Sequence, residues 1–284
     1  MLVKSAPQQI LAAVRSARRE GKTIGCVPTM GALHPGHASL IHRARSECGF
    51  VVATIFVNPT QFGPNEDFNR YPRTLEADLE ICRAAGADLV FTPNVAEMYA
   101  SDAETIVRVT QLSTTFEGAH RPGHFDGVTT VVSKLFLITE PDFAYFGQKD
   151  FQQQLIIRRM VRDLNFPVQI VTCPIIREPD GLAMSSRNRY LSPVERETAR
   201  ALSQALATAQ QLARNPSQTP QTVEWQLQQQ LSGTPGLELQ YASVVHPETL
   251  ATLTHSPRNT PAVALIAARV GTTRLLDNQL LDFS

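Results

Sequence analysis

Through the first 175 residues, short runs that are apolar at nearly every position alternate with longer segments whose apolar residues recur at helical spacing. Such runs suit strands buried on both faces of a parallel sheet, and the spaced segments suit the helices that cover it. Ile10, Leu11, Val14 and Ala17 predict an amphipathic helix leading into a first strand at 23–27. A helix over 37–45 follows, with Leu40, Ile41 and Ala44 as its buried stripe, then a strand over 50–57. Thr74 caps a predicted helix through Ala85, with Leu75, Leu79 and Ile81 apolar and Glu76, Asp78 and Glu80 polar. Residues 88–91 read as a short strand, and 105–109 alternate like a half-exposed one. A helix over 128–138, a fourth buried strand at 143–146, a helix to Leu164 and a strand over 168–173 complete this part.

The pattern changes near Ile175. Residues 177–189 form a polar loop, two helices are predicted over 193–215 and 219–231, and the remainder is β-rich, at 237–245, 262–270 and 274–277. The expected fold class is therefore α/β: a Rossmann-like, doubly wound parallel sheet over residues 1–175, then a smaller α+β domain over 176–284.

Composition narrows the function. Hydrophobic residues make up 43% of the chain, charged residues 18%, and the formal net charge is zero. That balance suits an ordinary globular protein and disfavours a nucleic-acid binder, which needs a basic face. The longest apolar stretch, 262–268, is too short to span a bilayer, so no membrane partner is expected. The first twenty residues are Arg-rich, but their amphipathic helix belongs to the fold, and Arg15 interrupts any signal-peptide core. Cys26, Cys48, Cys82 and Cys173 are scattered without a C-x-x-C, which points to a reducing, cytoplasmic setting.

The chemistry concentrates where predicted strands end. Between the first strand and its helix lie Met30, Gly31, Ala32, Leu33, His34, Pro35, Gly36 and His37. Glycines there let the backbone approach a ligand, and a helix start offers unpaired N–H groups suited to phosphate. His34 and His37 can both donate to charge that builds on an attacked phosphorus. After the next strand come Asn58 and Gln61, either ligands for a polar substrate or caps of their own turn. Arg121, in a segment dense in glycine and histidine, suits a bidentate carboxylate. Lys149 follows the 143–146 strand at the same sheet edge; a lysine at a helix start opposes the dipole, so it calls for an anion, whether a ligand or Asp150. No Ser-His-Asp or Cys-His set offers a covalent nucleophile. The residues alone leave open a nucleotidyltransferase acting on a phosphorylated acceptor and a non-catalytic nucleotide-binding module.

Five ordered stretches, at 27–37, 58–63, 121–125, 147–153 and 184–187, resemble the signatures of the pantoate–β-alanine ligase family, and the likeness covers essentially the whole chain. That family is similar to class I aminoacyl-tRNA synthetases in its H-x-G-H loop and later mobile serine-basic loop. The resemblance implies ATP-dependent condensation of (R)-pantoate with β-alanine through pantoyl adenylate, with magnesium, by a homodimer. It implies that residues 30–37, Gly147, Gln148, Lys149, Asp150, Ile176, Met184, Ser185, Ser186 and Arg187 bind ATP. His37 would be the proton donor, with His34, Lys149 and Arg187 as further catalytic groups. By the resemblance Gln61 and Gln153 would hold pantoate, with Gln61 also near β-alanine; the reading of the residues adds Arg121 as a carboxylate partner for pantoate and Asn58 for β-alanine. Two departures stand out: Gln148 replaces the usual glutamate, and Asp78, where some relatives hold magnesium, has Ala77 beside it.

Overall fold

The computed structural model describes residues 1–64, 66–253 and 261–283. Contacts divide the chain into two compact units, Met1–Gly147 with Gln152–Pro174, and Gln148–Phe151 with the chain from Ile175 onward.

The first unit opens with β1 (Leu2–Lys4), α1 (Pro7–Arg19), β2 (Ile24–Thr29), α2 (Pro35–Glu47), β3 (Phe50–Ile55), α3 (Leu75–Ala85) and β4 (Leu89–Phe91). Short helices α4 (Val95–Met98) and α5 (Glu117–His120) precede α6 (His124–Thr139), β5 (Phe143–Gly147), α7 (Phe151–Asp163) and β6 (Gln169–Cys173). All six strands join one parallel sheet in the order β1-β4-β3-β2-β5-β6. Strand side chains alternate between its faces. Val27, Val51, Ala53, Val90 and Tyr145 pack with Leu40, Ile41 and Ala44 of α2 and Cys82 and Ala85 of α3. Cys26, one residue out of phase, meets Thr139 of α6 instead, and α6 packs with α1. Helices thus cover both faces, as the doubly wound reading requires. The strand order reverses between β2 and β5, which makes that pair the switch point where ligands of such sheets bind.

Three details differ from expectation. Strand β1 is an added edge of only three residues, too short to show a pattern. Residues 105–109 form no strand: Val107 N–H donates to Thr130 Oγ1, and Thr129 Oγ1 donates to Val107 O. Their alternation reflects one-sided burial against α6. On α3, Leu75 is exposed, and the buried stripe runs through Asp78, Cys82 and Ala85.

In the second unit, α8 (Pro193–Ala213) and α9 (Pro220–Ser232) cover an antiparallel sheet of β7 (Leu237–Val245), β8 (Pro261–Val270) and β9 (Thr273–Asp282), in that order. Each helix begins with a reciprocal cap, Ser192 with Glu195 and Thr219 with Thr222, followed by proline at the first turn. Leu202, Leu206, Val223, Leu227 and Leu231 pack against Ala262, Ala264, Ile266 and Ala268, alternate residues of β8. Strand β9 runs well beyond Asp277, where the polar pair Asn278 and Gln279 breaks the apolar pattern.

Candidate active site

The segment after β2 is shaped by a buried carboxylate. Gly31 (φ 83°) and Ala32 (φ 51°) both take left-handed backbone, which turns successive N–H groups to one side. Ala32 N–H donates to Asp78 Oδ2 at 2.9 Å and Leu33 N–H to Oδ1 at 2.7 Å, while Thr74 Oγ1 lies 3.2 Å from Oδ1. A buried charge is tolerable only with such donors. Glycine is required at 31, since a Cβ there would sit 2.9 Å from Asp78 Oδ2. Both oxygens of Asp78, for which the resemblance implies a magnesium role, are engaged by the loop. Among the described residues, no group of three or more His, Cys, Asp or Glu is placed to hold a metal.

That anchor delivers His34 to the N-cap of α2, with Pro35 as the first helical residue. His34 Nδ1 accepts from Gly36 N–H at 3.1 Å, and His37 Nδ1 accepts from His34 N–H at 3.4 Å. The two rings lie 4.1 Å apart, centroid to centroid. A neutral imidazole that accepts at Nδ1 carries its proton on Nε2. Both rings are thereby held in the tautomer that donates through Nε2, at a helix start whose partial positive charge favours anions.

The Asn58–Gln61 turn adjoins this loop, since Gln61 Nε2 lies 3.0 Å from Met30 Sδ. Asn58 Nδ2 donates to Gln61 Oε1 and Gly127 O, and its Oδ1 accepts from Thr60 N–H, Thr60 Oγ1 and Tyr99 OH. Both the donor and the acceptor of the Asn58 side-chain amide are thus occupied within the protein. Of the two readings of this residue, the geometry supports the cap, which orients Gln61. Arg121 likewise differs from expectation. Its Nε and Nη2 close bidentately on Glu66 at 2.7 and 2.6 Å, so its fork is filled by the protein's own carboxylate. Arg121 also reaches His124 Nε2 at 3.1 Å, and His124 Nδ1 donates to Gln61 O at 2.8 Å. Burial first, and the neighbouring Arg121 charge second, push the His124 pKa down to about 4, so this ring is neutral. Gln153 stands half-buried on α7, while its neighbour Gln152 ties Glu117 N–H, Leu112 O and Thr115 O together.

Gly147 ends β5 in the first unit, and the second unit carries Gln148, Lys149, Asp150, Ile176 and Met184 to Arg187. Lys149 Nζ lies 3.8 Å from Asp150 Oδ1, a long contact for an ion pair. Asn278 of β9 donates to Gln148 O and Lys149 O and accepts from Gln148 Nε2. Met184 N–H bonds to Ile176 O, and Ser185 Oγ accepts from Arg187 N–H at the start of a 3-10 turn, Ser186–Tyr190. Asn188 pins that turn to Glu178 and to Ala183 O.

Sequence reasoning singled out neither Glu66, Tyr99 nor Asn278, and gave His124 no role of its own. Only Asn278 carried a local signal, as a polar residue inside an apolar strand pattern.

The chain matches the family model described as pantoate-beta-alanine ligase over residues 3–280. It is 50% identical over 280 residues to the pantothenate synthetase of Thermoanaerobacter sp. (strain X514), covering 99% of this chain and 98% of that one. It superposes on the crystal structure of pantothenate synthetase from Thermus thermophilus with a TM-score of 0.92 and 46% identity, over 98% of this chain and 99% of that one. A pantoate–β-alanine ligase from Francisella tularensis, complexed with beta-gamma ATP and β-alanine, superposes with a TM-score of 0.79 and 33% identity, over 99% and 97% of the two chains. On its fold, its histidine loop and these matches, the chain belongs to the pantoate–β-alanine ligase family.

Proposed function

We propose that the protein joins (R)-pantoate to β-alanine, forming pantothenate, AMP and pyrophosphate from ATP. A carboxylate is a poor target for an amine. In the first step a pantoate oxygen attacks the α-phosphorus, the bond to the β-phosphate bridging oxygen breaks, and pyrophosphate leaves. In the second, the β-alanine nitrogen attacks the acyl carbon, AMP departs, and the amine proton is released. Phosphoryl transfer of this kind asks the protein for positioning and charge stabilisation. The observation that carries the reading is the pair of imidazoles at the start of α2, both set by backbone N–H groups to donate through Nε2.

In this reading His34 and His37 serve the α and β phosphates, and residues 30–36 cradle the nucleotide. Lys149 and Arg187 take the departing pyrophosphate, with Gly147, Gln148, Asp150, Ile176, Met184, Ser185 and Ser186 as further ATP contacts. Gln61 and Gln153 hold pantoate, and Gln61 also faces β-alanine. Asn58, Arg121 and His124 act by fixing Gln61. Magnesium enters as part of Mg-ATP, because Asp78 is engaged elsewhere. A nucleotidyltransferase for a phosphorylated acceptor would need an uncommitted cation beside Gln61, and there Arg121 is already neutralised by Glu66. We place the protein in the cytoplasm as a homodimer. Four buried free cysteines suit the former, and among the described residues no helix is long and apolar enough to cross a membrane.

The test is exchange of labelled pyrophosphate into ATP with pantoate and magnesium present and β-alanine absent. The reading expects exchange, and expects His37→Ala to lower it by about 10²–10³-fold while circular dichroism stays native. ADP and phosphate as products would indicate an acyl phosphate and overturn it.

A further inference from the structure

We infer that Asn278 is a positioning residue for Lys149, and that Gln148 is its matched partner; this rests on the role of Lys149 proposed above. Asn278 is 1% exposed, inside the apolar pattern of β9, where burying an amide is costly unless its hydrogen bonds are met. They are met on the Gln148–Lys149 backbone. Nδ2 donates to Gln148 O at 3.0 Å and to Lys149 O at 2.9 Å.

Two carbonyls accept and never donate, so the orientation of the Asn278 amide is settled by its surroundings. Its Oδ1 must then face the Gln148 side chain, whose Nε2 lies 3.2 Å away. Only a donor can complete the arrangement at 148. Glutamine supplies one; an ionised glutamate would set a carboxylate against a carbonyl oxygen. The residue before Asn278 is itself fixed: Asp277, 3% exposed, is bonded bidentately by Arg177 at 2.7 and 3.1 Å and accepts from Asn278 N–H at 2.8 Å.

With both carbonyls turned toward Asn278, the peptide planes flanking the Lys149 Cα are set. The direction from which the lysine stem departs is set with them. The long, flexible side chain gains preorganisation it lacks on its own, since its salt contact to Asp150 is only 3.8 Å. A shift of about 1 Å at such a group can cost 10²-fold in rate.

The test is a double-mutant cycle read by pyrophosphate exchange, with amide formation from supplied pantoyl adenylate as the second readout. Asn278→Ala should lower exchange about 10- to 100-fold and spare amide formation. In a Lys149→Ala background the same substitution should cost almost nothing further, because its effect passes through the lysine. Gln148→Glu should also impair exchange, and Gln148→Leu, at a half-buried position, replaces Asn278→Ala in the cycle if that variant fails to fold. An equal Asn278→Ala penalty with and without Lys149, or undiminished exchange in Gln148→Glu, would overturn the positioning role. Wild-type exchange in Lys149→Ala would overturn the role of the lysine itself, a separate failure.

Discussion

Both oxygens of Asp78 accept backbone N–H groups from the segment that carries His34 and His37, and this decides what the carboxylate is for. Hydrogen bonds to a charged group contribute about 1.5–3 kcal/mol each when buried. Asp78→Asn keeps the shape but turns an NH2 against a backbone N–H. It should lower the thermal midpoint and reduce pyrophosphate exchange, with the magnesium dependence of the residual activity unchanged. A shifted magnesium requirement would restore the metal-ligand reading. The bonds that set the two histidine rings are local, within three residues of His34, but the hold of Asp78 on their loop spans 45 and 46 positions and left no local pattern. The charge partner of Arg121 was not, since Glu66 lies 55 positions away and no periodicity links them.

At the scale of elements, α6 and the Asn58–Gln61 turn meet at Gly127. A Cβ there would lie 2.4 Å from Thr60 O and 2.6 Å from Gln61 N. Alanine in a helix interior ordinarily stabilises by about 1 kcal/mol over glycine. Overpacking costs about 1–3 kcal/mol and here displaces backbone. Overpacking wins, so Gly127→Ala should lower the thermal midpoint and raise the KM for pantoate more than that for ATP. A raised midpoint would show that α6 does not press on the turn. The same level explains where the pattern misled. The alternation at 105–109 arises against a helix, and β9 continues past Asp277 because Asn278 is buried for its hydrogen bonds and not for packing. Local patterning fails where a residue serves a loop distant in sequence.

Across the whole molecule, the alternation of strand and helix followed by two helices and antiparallel strands was enough to read the fold class, because each buried strand must be covered on both faces. What sequence could not supply was which charges are buried, and these set the response to acid. With zero formal net charge near neutrality, self-repulsion contributes little there, so individual groups dominate. The charges acting on His124 are those of Arg121, Glu117 and Glu66, and burial, the largest cause, with Arg121 next, lowers its pKa from 6.5 to about 4. Between those values the unfolded chain binds a proton that the folded ring refuses. Stability from this group is therefore complete above pH 6.5 and is lost as pH falls toward 4, by up to about 3 kcal/mol. His124→Asn keeps a donor for Gln61 O without titrating in this range. Denaturant unfolding at pH 7 and pH 5, followed by far-ultraviolet circular dichroism, should show a larger acid loss for the wild type than for this variant. Amide exchange in α6 should quicken on acidification in the wild type beyond the change in intrinsic rate. Equal acid losses in the two proteins would mean that His124 is protonated in the folded state, and the neutral ring assigned to the Gln61 support would have to be given up.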